Sequence, residues 1–127
     1  AIAPDNDVAG QFTGYGSYAF TPGSVAGLAI PSSLPIAGMT PALLAVSSSG
    51  AVAAEFTGQG VWLYTTATGW QSLPLPSPAT GVDATLLAFD GLGDVVAEIP
   101  GHGVYRYRDG AWANVGATTA DASALGA

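Results

Sequence analysis

The sequence predicts an all-β fold assembled from three copies of one four-stranded unit. Two observations carry this. One pattern recurs with starts 44 and 43 residues apart: "DVAGQFTGYGSYAF" from Asp7, "AVAAEFTGQGVWLY" from Ala51 and "DVVAEIPGHGVYRY" from Asp94. Glycine-rich turns cut each copy into short runs, and helical spacing with caps is found nowhere.

The third copy shows the unit best. "TLLAFD" is a first strand, "GLG" turns it, and "DVVAEI" returns as the second. "PGHG" leads to a third strand, "VYRYR", and "DG" to a fourth, "AWANV". Glycine and Asp-Gly supply the positive φ angles that hairpin turns require. The second copy repeats this order, with "PALLAVSSSG" at Pro41 answering "ATLLAFDGLG" at Ala84, and "GWQSLP" answering "AWANVG". In the first copy the last segment reads "VAGLAIP" and lacks the Trp. The linkers, such as "PLPSPATGVDA", are rich in Pro, Ser and Thr and read as loops. The 127 residues thus form one repeat domain, with units at approximately 1–40, 41–83 and 84–127.

The strands "LLAV", "LLAF", "AVAAEF" and "DVVAEI" are apolar on both faces, whereas a strand with one wet face alternates. That suits sheets stacked between neighbours, as in a β-propeller with one four-stranded blade per repeat. The alternative is a β-trefoil, which also uses three four-strand repeats but closes as a monomer.

"GVWLYTTATGWQSLP" resembles the outer half of a kelch-type blade, in which a Gly-bounded aromatic strand turns into a Trp-bearing one. The likeness covers all three units and is similar to short-repeat bacterial and fungal propellers, propeller lectins among them. It implies a non-enzymatic binding module with carbohydrate as the ligand class. The alternative is a structural or protein-interaction propeller segment of a larger secreted protein.

Propellers hold four to eight blades, so three units leave the ring open. The tail "DASALGA" matches the start of "DATLLAFDG", and the head "AIAPDND" matches its end. Head and tail are therefore expected to complete a blade between chains, two copies giving a six-blade ring. The alternative is that the 127 residues are a piece of a longer propeller.

Composition narrows the partners. Arg106 and Arg108 are the only cations against nine acids, for a net charge of −7. Phosphate neutralisation needs clustered cations, which disfavours nucleic acid and anionic membrane surfaces. No apolar run reaches the eighteen or so residues of a membrane-spanning helix. Without Cys there is no disulfide and no thiolate metal site. Charged residues are 9% of the chain against roughly 25% in ordinary domains. The surface is then either Ser, Thr and Gly, or covered by another copy. Such a composition suits a secreted bacterial protein. The opening "AIAPDND" has no basic flank and no apolar stretch of the kind that makes a secretory leader.

No nucleophile–base pair stands out, and no enzyme activity is expected. His102, the single His, falls in a turn where the other copies carry Tyr15 and Gln59. Asp90 and Asp94 in "DGLGD", like Asp5 and Asp7 in "DND", hint at a calcium loop, but the middle copy reads "SSSGA". Calcium needs six or more oxygens, so these Asp residues are read as turn residues, and no metal or cofactor is expected.

The binding candidates are the recurring polar and aromatic positions. Glu55 and Glu98, with Gln11 in the first copy, end the second strand. Each is an acceptor, either for the adjacent turn's amides or for sugar hydroxyls. Trp62, Tyr105 and Tyr18 align, as do Tyr64, Tyr107 and Phe20, and Trp70 pairs with Trp112. Such rings either pack between units or stack on sugar rings. Sugar binding would pair Glu55 with Trp70 and Glu98 with Trp112, with Trp62 and Tyr105 beside them. Arg106 and Arg108 belong to the third copy alone and are read as stacked on Tyr or paired with an acid.

Overall fold

A computed structural model of the chain describes the backbone of residues 8–12, 16–21, 24–27 and 30–115, and side chains from residue 30 to residue 115. The described residues form three antiparallel sheets and no helix. Sheet one contains β1 (Val8–Phe12), β2 (Gly16–Thr21) and β3 (Ser24–Gly27) in that order. Sheet two is a four-stranded meander of β4 (Leu43–Val46), β5 (Val52–Phe56), β6 (Gly60–Thr65) and β7 (Gly69–Ser72). Sheet three repeats it with β8 (Leu86–Phe89), β9 (Val95–Ile99), β10 (Gly103–Arg108) and β11 (Ala111–Asn114). The four strands read from "TLLAFD" to "AWANV" fall on these elements.

Turn chemistry sets the registers. Phe56 pairs with Gly60, and Ile99 with Gly103, across three-residue loops. Gln59 N–H donates to the Phe56 carbonyl at 2.8 Å, and His102 N–H to that of Ile99 at 3.0 Å. The third residues of these type II turns, Gly58 and Gly101, have φ of 78° and 77°, angles that side-chain-bearing residues adopt only with strain. Arg108 pairs with Ala111 across Asp109–Gly110, both at positive φ, which is the type I′ hairpin that Asp-Gly favours.

Side chains alternate between two interiors. From β5, Val52, Ala54 and Phe56 point back toward Ile30, Leu34, Ile36 and Met39 of the linker after sheet one. Ala53 points forward, and with Val61 and Leu73 it meets Val95, Ala97, Ile99 and Tyr105 of sheet three. Every residue of β5 is buried, as the apolar pattern on both faces requires. Each fully buried Val or Phe here contributes about 2 kcal/mol. β8 packs against β4 and β5, and β1 lies beside β4, so the first strand of one sheet adjoins that of the next. The linkers are loops, as read from their composition, but they are anchored: Ile36 and Ala79 are fully buried.

Sheet one differs from the other two. By alignment β1, β2 and β3 correspond to β5, β6 and β7, and no described strand takes the place that β4 and β8 hold. The head and tail expected to supply that strand lie outside the described residues.

Candidate functional site

Glu55 is the fourth residue of β5, and strand alternation turns it toward sheet three with Ala53. Its backbone carbonyl accepts Ala42 N–H at 2.7 Å within sheet two. Its side chain leaves the sheet: Oε1 accepts the N–H of Ala84, at the entrance to β8, at 3.0 Å. The preceding residue, Asp83, reaches back the other way. Its carboxylate accepts Gly58 N–H at 3.0 and 3.2 Å, capping the turn after β5. Two consecutive residues thus tie the start of sheet three to the second hairpin of sheet two.

This tie has an electrostatic cost. Burial pushes the Glu55 carboxyl up to about 7, against the pull of the Ala84 hydrogen bond. The nearby Asp83 carboxyl adds to the rise through its charge and its capacity to share a proton. Oε2 of Glu55 is buried without a hydrogen-bond donor. The reading of this Glu as a cap for its own turn is therefore corrected. The turn amide is taken by Asp83, because Glu55 points across the gap between sheets. In the sequence Asp83 and Ala84 look like the end of a linker, and the one signal that marks them is the likeness of "DATLL" to "DASAL" in the tail.

Glu98 holds the same place in β9, and its Oε2 is also buried without a partner. The side chain of Gln11 is outside the described residues. Trp62 and Tyr105 are buried, and Trp62 Nε1 donates to the Gln59 carbonyl at 3.2 Å. Trp70 is 9% exposed, its ring against Phe56 at 5.9 Å and Tyr64 at 5.4 Å. Trp112, on the outermost strand of sheet three, is half-buried and packs edge-on to Tyr107 at 5.3 Å. Its Nε1 donates to the Leu73 carbonyl of sheet two at 2.9 Å. The structure therefore does not bring Glu55 and Trp70 into one open site: they point into opposite interiors of sheet two.

The remaining candidates serve turns. Asp90 Oδ1 accepts the N–H groups of Leu92 and Asp94, and Ser47 Oγ takes the same place after β4 by accepting Ala51 N–H. Arg108 Nε pairs with Asp94 at 2.6 Å, an acid of its own sheet. The His102 carbonyl accepts Asn114 Nδ2 at 2.8 Å. A pocket of about 160 Å³ lies beside the Gly58 turn, lined by Gln59, Val61, Leu73, Leu75 and Val82 among others. None of the candidate binding residues lines it.

Comparison with protein-family models, curated proteins and solved structures finds no match for this chain.

Proposed function

We propose that the chain is a run of β-propeller blades acting as a non-enzymatic assembly and binding module. The observation that supports this most is sheet two. Both of its faces are buried, one under residues of the preceding linker and one under sheet three, while the first strands β4 and β8 adjoin. Stacked meanders with neighbouring first strands are how blades surround a propeller axis. Among the described residues no strand pairs with the other side of β1, and this reading puts there the strand that head and tail complete between chains. Two copies would close six blades. Light scattering at micromolar concentration tests this: twice the 12.5 kDa chain mass is expected, and a stable monomer would favour the trefoil. A secreted location belongs to this reading.

Carbohydrate binding is the second reading, and one observation favours Trp112 as the residue to test. Trp112 keeps part of its ring open on an outer strand while its Nε1 is held by Leu73. A fixed, half-open ring can stack on the apolar face of a sugar. A glycan array, run with the wild type and with Trp112→Ala, tests it.

A further inference from the structure

Sheet three has a forward face equivalent to the face of sheet two that sheet three covers. Val96, Val104 and Leu86 stand where Ala53, Val61 and Leu43 stand in sheet two. On sheet two those residues join a core shared with the next sheet. On sheet three, the described apolar residues packed together come from sheet three alone, yet Val96 and Val104 are fully buried. Glu98 lies on this face by alternation with Val96, and its buried Oε2 has no donor. The Gly101 turn repeats the backbone of the Gly58 turn that Asp83 caps.

We propose that residues 121–125 of this chain dock on that face, repeating the latch made by Asp83 and Ala84. Asp121 caps the N–H of Gly101, and the N–H of Ala122 is donated to Glu98. Leu125 enters the apolar cluster of Val96 and Val104. The inference rests on the repeat reading above, in which each sheet is followed by the first strand of the next unit. Three observations favour this occupant. "DASAL" carries the Asp-Ala pair of "DATLL" in the same order. The acceptor also covaries with the donor: Glu55 faces the N–H of Ala84, whereas the copy that precedes Pro41, which has no N–H, carries Gln11 at that place, and Glu98 precedes a unit that begins with Ala122. The chain also leaves β11 at the right place, since Asn114 Nδ2 touches the His102 carbonyl beside Gly101. Asp121 follows Asn114 by seven residues, a reach of roughly 23 Å at about 3.3 Å per extended residue.

Hydrogen exchange on the full chain, read by NMR residue by residue, tests the proposal. Asp121→Ala should speed exchange at Gly101 about tenfold or more while leaving Gly58 unchanged, because a capped amide opens only when its cap does. Wild-type protein should show a nuclear Overhauser contact between Ala122 and the Glu98 side chain, a measurement that does not depend on the variant folding. Unchanged exchange at Gly101, or a missing contact, overturns the latch. Protection that falls on dilution overturns docking by the chain's own segment in favour of a second copy's. Mass in solution is read separately. A monomer with an intact latch counts against the six-blade ring alone, and a dimer without the latch counts against the latch alone.

Discussion

The Glu55 carboxylate and the Ala84 amide meet at 3.0 Å across the gap between two sheets. Glu55 lies in β5 and Ala84 at the entrance to β8, 29 residues further on, so the contact belongs to the stacking of units and not to either sheet. A buried acid held by one backbone donor is an unusual place for a Glu, because desolvation disfavours the charged form.

That arrangement makes stability depend on pH. The folded Glu55 carboxyl titrates near 7, above its ordinary 4.5, so between these values the folded chain holds a proton that the unfolded chain releases. Stability from this group is full below pH 4.5 and falls as pH rises through 7, by up to about 3 kcal/mol. Glu55→Gln, which removes the titration, should melt higher than the wild type at pH 8 and nearly level with it at pH 4.5. Thermal denaturation across that range measures both; parallel curves would refute the assignment.

Removing the donor should hurt more than removing the charge. Ala84→Pro takes away the N–H and leaves Oε1 of a buried acid without a partner, at a cost of about 1–3 kcal/mol. Urea denaturation of this variant and of the Glu55→Gln, Ala84→Pro double variant gives the coupling. The double variant carries the residues that stand at the equivalent positions of the preceding copies, Gln11 and Pro41, so part of the loss should be recovered.

The two tryptophans should separate cleanly. Trp70 is packed in the core behind β5 with Phe56 and Tyr64, and Trp70→Ala should cost about 3–5 kcal/mol. Trp112 is half-buried on the outermost strand, so its replacement by Ala should cost clearly less in the same denaturation experiment. If glycan binding exists at Trp112, it should disappear in that variant while the melting temperature stays within a few degrees.

Gly58 is required for its backbone angle alone. An added Cβ would meet nothing within 4 Å, yet φ is +78°. Gly58→Ala should therefore cost about 1 kcal/mol, from the left-handed conformation and not from a clash. Gly58→Asn, which tolerates that region better, should recover part of it.

The sequence by itself determined the units. Repeats at a fixed spacing, Asp-Gly and Gly-x-Gly turns and runs such as "DVVAEI" specify where each strand begins, how it turns and that both of its faces are buried, because these are local properties of backbone angles and alternation. The Pro-rich linkers were legible as loops for the same reason. The tertiary structure alone decided which interior each side chain enters and what it meets there. Trp70 and Glu55 belong to one repeat and look like one site in sequence, but β5 and β7 direct them to opposite sides of sheet two. Asp83 and Ala84 look like the end of a linker, and become the tie between sheets only once stacking brings β8 against β4 and β5. Alternation along a strand is written in the chain, whereas the partner across the gap is set by how the sheets pack.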